Sequence, residues 1–289
     1  MPRRGRRCRY NREFDVRTIA HISDLHFGSV DPAIAASLAA DLKLLAPHVL
    51  VVSGDFTQRG RRKQFAAAAA FLQDLPRPQI VVPGNHDIPL FDVIRRFAWP
   101  LERYRASITD DLSPFYRDEE IAVLGINTAR SWSWSLDGFW KDGRISAQQL
   151  QEVQRRLSAL PPEIFRIVVT HHPFIPPPGW RLRGMVGGAH RALQIMHSCG
   201  VAMLLAGHLH LAYSGDVRAH YEAADRSILS IQAGTAISTR RRDEPNAYNL
   251  ITIAGPEVEI SLRTWNGQHF EQTILKRYAR VDGLWRETP

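Results

Sequence analysis

The chain is poor in cysteine, poor in lysine and free of long apolar runs. Two cysteines, Cys8 and Cys199, cannot build a disulfide framework, which fits a reducing compartment and predicts a cytoplasmic protein. The longest unbroken apolar run is Phe65–Leu72, mostly alanine, so no segment has the length to span a bilayer. The arginines at the N-terminus have no apolar stretch behind them, which argues against a secretory or twin-arginine signal. Repeats and low-complexity tracts are missing as well. With 44% hydrophobic and 23% charged residues, the 289-residue chain has the composition of a globular protein with a sizeable core.

The lack of lysine bears on charge. Only 4 of the 37 basic residues are lysine, and the net charge is +8. A basic balance invites nucleic acid, anionic membrane or phosphate-bearing partners. Six of the arginines, however, are Arg3, Arg4, Arg6, Arg7, Arg9 and Arg12, and without this acid-free dozen the balance falls to +2. Arg240–Arg242 form a second run. Charge runs of this kind are expected to be solvated tails and loops. Residues 1–16 therefore read as a basic tail and residues 17–289 as one domain. Contact with nucleic acid through the tail is the less favoured reading.

From residue 17 onward, β-rich runs alternate with amphipathic helices. Thr18–Ser23, Val49–Ser53, Gln79–Val82, Ile121–Ile126, Arg166–Thr170 and Val201–Ala206 read as buried strands. Asp31-Pro32 starts a helix with Ile34, Leu38, Leu42 and Leu45 on one face, and another runs from Phe65 to Leu75. Ser146 with Gln149 forms a capping box ahead of Leu150, Val153, Leu157 and Leu160. A further helix lies near His190–Ser198. Such alternation predicts an α/β architecture. The last 75 residues differ: Ser227–Gln232, Tyr248–Ala254, Val258–Thr264 and Phe270–Leu275 suggest hairpins or a meander added to the same core.

Polar residues of particular types stand where five of these strands stop. Asp24 and His26 follow the first, Gly54-Asp55 the second and Gly84-Asn85-His86-Asp87 the third. His171-His172 and Gly207-His208-Leu209-His210 follow two later ones. Ligands in open α/β sheets collect at the carboxyl ends of strands. In extended chain residues i and i+2 project to the same side, so Asp24 with His26, and His208 with His210, are each expected to reach one point. The glycines let backbone approach closely. Imidazole, carboxylate and amide oxygen together suit first-row transition metals, and seven or eight such ligands are too many for one ion. They suit two metals clamping an in-line displacement at phosphorus.

As a set, in this order, the five blocks resemble the calcineurin-like metallophosphoesterase superfamily across residues 24–210. The resemblance implies two stacked mixed β-sheets flanked by helices, a four-layer α/β/β/α sandwich, with the β-rich C-terminus completing the second sheet. It assigns Asp24, His26 and His210 to a first metal and Asn85, His171 and His208 to a second, with Asp55 bridging. The implied cofactors are two transition-metal ions, Mn, Fe, Zn or Co. His86 would lie over the phosphate as a catalytic residue, held by the neighbouring Asp87. A hydroxide between the metals would be the nucleophile.

In Ile22-Ser23-Asp24-Leu25-His26-Phe27, Gly84-Asn85-His86-Asp87 and His171-His172-Pro173 the chain resembles bacterial class III cyclic-nucleotide and glycerophosphodiester phosphodiesterases, which implies a small phosphodiester substrate. A nuclease-like or phosphomonoesterase member is the alternative, and a non-catalytic nucleic-acid binder is less favoured. Two aromatic, arginine-bearing segments, Ser131–Trp140 and Phe174–Gly188, are expected to shape specificity or bury locally. Trp180 and Arg183 are candidate substrate residues, as is His172; Arg130 is weaker. At Asn127 and Thr128 a turn role is expected. Exposed aromatics and the C-terminal strands make a homodimer an expectation.

Overall fold

The computed structural model describes residues 14–131, 142–177, 179–180, 184–221, 227–242 and 244–289. The arginines at positions 3–12, the aromatic segment from Trp132 to Trp140, and Arg183 lie outside the described residues. In chain order the first half runs β1 (Arg17–Ile22), α1 (Pro32–Leu45), β2 (Val49–Val52), α2 (Arg62–Gln73), β3 (Gln79–Val81), α3 (Val93–Ala98), α4 (Glu102–Ser107), β4 (Phe115–Arg117) and β5 (Ile121–Gly125). It continues through β6 (Gly143–Arg144), α5 (Ala147–Ser158), β7 (Phe165–Val169), β8 (Val186–Gly187), α6 (Ala189–Ser198), β9 (Val201–Ala206), β10 (Tyr213–Asp216) and β11 (Leu229–Gln232). It ends in β12 (Ala247–Ala254), β13 (Glu257–Trp265), β14 (Phe270–Val281) and β15 (Leu284–Thr288). Among the described residues no helix is long and apolar enough to cross a membrane.

Local chemistry sets the helix ends. Asp31 accepts from the backbone N–H of Ala33 at 2.9 Å, and Pro32 follows at the first helical position of α1. The capping box of α5 is complete: Ser146 Oγ accepts from Gln149 N, and Gln149 Oε1 accepts from Ser146 N. The buried stripes are Ile34, Leu38 and Leu42 on α1 and Leu150, Val153 and Leu157 on α5.

Alternation along the strands builds the layers. One face of β1 and β2 presents Ile19, Val49 and Val51 to Val123, Ile167 and Leu205 of a second sheet. The opposite face presents Ala20, Ile22, Leu50 and Val52 to α1 and α2. The second sheet likewise turns Leu124, Val168 and Leu204 to α5 and α6. The result is helices, sheet, sheet, helices. The first sheet has the order β15-β14-β13-β12-β1-β2-β3 and the second β10-β11-β9-β7-β5-β4. Strands β1–β3 are mutually parallel, as are β5, β7, β9 and β11.

Two expectations change. The C-terminal meander β12–β15 extends the first sheet, through antiparallel pairing of β12 with β1, and only β11 completes the second. Its last hairpin turns at Asp282-Gly283, both at positive φ, a pairing typical of two-residue hairpin loops. The stretch between β3 and β5 also holds α3, α4 and β4, which the irregular aromatic pattern concealed.

Candidate metal centre

The loops leaving β1 and β2 are laced together. Asp24 N donates to Gly54 O at 3.1 Å, His26 N to Asp55 O at 2.9 Å and Phe27 N to Phe56 O at 2.8 Å. This lacing holds Asp24, His26 and Asp55 at φ of 54°, 47° and 54°. His208 and His210 sit at 74° and 59°. Five of the seven predicted ligands are therefore left-handed, a conformation that costs a non-glycine residue about 1–3 kcal/mol and clusters at functional sites. Asp24 and His26 do converge, but through left-handed turns and not by alternation along extended chain. Gly84 is required by proximity: a Cβ there would lie 2.1 Å from Asp55 Oδ1.

Two clusters result. In the first, Asp24 Oδ1 lies 3.5 Å from His26 Nε2 and 3.6 Å from His210 Nε2, and the two imidazoles stack at 5.1 Å. In the second, His171 Nε2 lies 3.2 Å from Asn85 Oδ1 and 3.3 Å from His208 Nδ1. Asp55 stands between them, with Oδ1 3.4 Å from His171 Nε2 and Oδ2 3.7 Å from His26 Nε2. His208 and His210 thus serve different clusters, where the sequence pattern suggested one shared point. Asp24 Oδ2 is occupied by the His208 backbone N–H at 3.0 Å, which ties the β9 loop to the β1 loop.

The arrangement calls for cations. Asp24, His26, Asp55, Asn85 and His171 are all buried. Burial alone would raise both carboxyls, yet the surrounding histidines hold Asp24 and Asp55 below the usual range, so both are ionised. Burial pushes His208 down to about 3, leaving it neutral with a lone pair to give. His171 Nδ1 is 2.7 Å from the Ser53 carbonyl, which can only accept, so Nδ1 carries the proton. Its Nε2 then aims at two oxygens. Something positive must lie between them, and despite burial the Asp55 and Asp24 charges draw a proton there, raising His171 to about 9. Asp24 Oδ1 and both ring nitrogens of His26 are buried without a well-formed hydrogen bond. Carboxylate, amide oxygen and imidazole donors in this geometry fit two first-row divalent ions.

Residues 17–212 match the family model of the calcineurin-like phosphoesterases. The chain belongs to this family. A protein of Synechococcus sp. named as a probable cyclic nucleotide phosphodiesterase is 26% identical over 212 residues, covering 68% of this chain and 74% of that protein. The glycerophosphodiester phosphodiesterase GpdQ of Enterobacter lignolyticus is 35% identical over 80 residues, 24% of this chain and 29% of its own. Among solved structures PhoD shares the fold at a TM-score of 0.69 and 10% identity, covering 96% of this chain and 72% of that one.

At the clusters of this phosphoesterase lies a cleft of about 160 Å³, lined by Asp55, Asn85, His86, His208, His210 and Arg240–Arg242. The second arginine run is solvated as expected at Arg241 and Arg242, but Arg240 is half-buried and belongs to the site. The β11–β12 loop brings it there, so β11 is a further parallel strand whose carboxyl end feeds the centre. Sequence reasoning stopped at five such ends; applying the strand-end rule to Leu229–Gln232 points to the loop that carries the run.

His86 has a different support from the one expected. Its Nδ1 bonds the Gln58 carbonyl at 2.9 Å, and Arg240 donates to Nε2 at 2.9 Å. The Asp87 carboxylate instead accepts from the backbone N–H groups of Phe56, Thr57 and Gly84, closing the loops after β2 and β3 onto each other. Burial and the nearby Asp55 push Asp87 up to about 7. His172 turns Nδ1 to Thr128 Oγ1 at 2.8 Å, with its ring 4.6 Å from that of His208. Asn127 makes a turn, its Oδ1 accepting from Ala129 N, while Arg130 bonds the Asp142 carbonyl. Trp180 lies under the Arg242 guanidinium at 4.4 Å, at the edge of the same cleft.

Proposed function

We propose that this phosphoesterase is a dinuclear metal-dependent phosphodiesterase acting on small diesters of the cyclic-nucleotide or glycerophosphodiester kind. The observation that carries the reading is Asp55, whose two oxygens face two separate histidine clusters at the floor of one cleft. Asp24, His26 and His210 would hold one ion, Asn85, His171 and His208 the other, and Asp55 both. Two ions of Mn, Fe, Zn or Co would polarise the phosphoryl oxygens and bring the pKa of water toward neutrality. The choice of a diester leans on the two relatives, each named as a phosphodiesterase.

The chain's own part is positioning and proton transfer. His86 presents Nε2 to the cleft and is the atom through which a proton reaches the departing ester oxygen. It must first gain that proton, because the one on Nδ1 is spent on the Gln58 carbonyl, and the bond that Nε2 accepts from Arg240 has to open as the guanidinium turns to substrate. Trp180, half-buried beneath the Arg242 guanidinium, is a candidate to contact the ester substituent.

The test is hydrolysis of an aryl phosphodiester by protein loaded with each of the four metals, beside an aryl phosphomonoester and single-stranded DNA. Faster diester turnover is expected, and Asp55→Asn should lower it by about 100-fold or more while reducing bound metal. A wild-type protein that binds no metal and cleaves no ester under any of these conditions overturns the proposal. Preferential cleavage of the monoester or the DNA would move it to another substrate class.

A further inference from the structure

The loop between β11 and β12 is fastened on both sides before it delivers its arginines. On one side Thr235 Oγ1 bonds His210 Nδ1 at 2.7 Å. On the other, Ser238 Oγ donates to Ser29 O at 2.9 Å and Thr239 N donates to the same carbonyl at 2.8 Å, just beyond His26. Asn246 Nδ2 donates to Ser238 O at 2.9 Å, and Arg240 N to Ser238 Oγ at 3.0 Å. Thr235, Ser238 and Asn246 are all buried. A backbone pinned to both neighbouring ligand loops fixes where Arg240 begins. Its guanidinium then ends on His86 Nε2, inside the cleft.

Among the described residues no carboxylate pairs with Arg240, Arg241 or Arg242. The two buried carboxylates of the centre face the histidine clusters and form no ion pair with the arginine run. A planar guanidinium offers five donors in a fork that matches the oxygens of a phosphoryl group, and one contact with an imidazole leaves most of them unused. We infer that Arg240 is a substrate-binding residue, whose guanidinium, placed beside His86, takes the phosphoryl oxygens of a substrate in the cleft. The inference rests on the phosphoesterase reading and deepens it. It makes the phosphoryl group, and not only the ester substituent, the feature that the β11–β12 loop recognises.

Inorganic phosphate is the probe. Its binding to manganese-loaded protein, followed by calorimetry, needs no turnover and separates this inference from the proposed activity. Charge-assisted bonds of this kind predict that Arg240→Ala weakens phosphate by about tenfold or more with both ions retained. Arg240→Lys should recover only part of the loss, because it keeps the charge without the fork. Added guanidinium ion should strengthen phosphate binding in the alanine variant and not in the wild type. A loss smaller than about threefold in Arg240→Ala overturns the inference, as does a lysine variant equal to wild type. Loss of metal from both variants also overturns it, assigning the arginine to the integrity of the centre. If the wild type cleaves no ester yet phosphate still weakens in Arg240→Ala, the proposed activity fails and this assignment stands.

Discussion

Thr235→Val isolates a single proton in the support of the metal centre. Thr235 Oγ1 donates to the Arg240 carbonyl at 3.3 Å and lies 2.7 Å from His210 Nδ1. A hydroxyl has one proton, so if it goes to the carbonyl the oxygen must accept from His210, whose Nδ1 is then protonated. The lone pair of His210 is thereby fixed on Nε2, the atom 3.6 Å from Asp24 Oδ1. Valine has nearly the same shape and neither donates nor accepts. Removing a partner that orients a ligating imidazole costs typically 10–100-fold in metal affinity, or about 1.4–2.8 kcal/mol. The loss should fall on the ion that Asp24, His26 and His210 would hold, because His171 in the other cluster is oriented by Ser53 O and not by this loop. Titrating metal-stripped protein at buffered free metal should show one weakened site out of two. Thr235→Ser should bind both ions nearly as the wild type does. A valine variant with two unweakened sites, or a serine variant as damaged as the valine one, refutes the reasoning.

Two further perturbations follow from the same geometry. His21, buried between the sheets with Nε2 2.9 Å from Ser53 Oγ, is pushed down to about 3 by desolvation. Below the unfolded value of 6.5 the unfolded chain takes up a proton that the native one refuses, so stability present above pH 6.5 is lost as pH falls toward 3. The cost is about 1.4 kcal/mol per pH unit, and His21→Gln should remove about 2–3 kcal/mol of it between pH 6.5 and 4.5. Denaturant titrations at a series of pH values giving parallel losses for the two proteins would sink the idea. Gly84→Ala places a Cβ against Asp55 Oδ1 and 2.4 Å from Asp55 N, so it should displace the shared carboxylate and weaken both ions together. Overpacking of this kind costs about 1–3 kcal/mol of stability, and full metal stoichiometry at wild-type affinity would contradict it.

The convergence of the candidate ligands was legible because each block stands at the end of a strand that the apolar pattern already marks. The α1 and α5 helices were legible for a similar reason, through Asp31-Pro32 and the Ser146–Gln149 box. Other features depend on partners far away in sequence. Nothing in the alternation of Tyr248–Ala254 says whether it pairs with β1 or with the second sheet; the choice is made by Ile251 and Ile253 lying against Ile19 and Arg17 in register. Asp87 looked like a support for its neighbour His86, but a carboxylate that meets three backbone N–H groups is occupied by the loop itself. The arginine run was obscured by a sound generalisation. Runs of one charge are usually solvated, as Arg241 and Arg242 are, and only the anchoring of Thr235 and Ser238 on the ligand loops turns Arg240 inward.

The left-handed ligands give the centre a shared fate. Even at about 1 kcal/mol each, five such residues hold strain comparable with the net stability of many domains, so their conformations persist only where neighbours impose them. Here the imposition is mutual. Asp24 and His26 are held by carbonyls of the β2 loop, His208 by the Asp24 carboxylate, and His210 by Thr235. The Asp55 carboxylate in turn accepts from His86 N at 2.8 Å, and Asp87 closes that loop back onto Phe56 and Thr57. Each ligand loop is thus the backbone template of the next. Damage at one strand end is passed to the others through bonds that no metal needs to make. For that reason the strand ends, and not the ligand side chains alone, are the unit that this fold supplies to its chemistry.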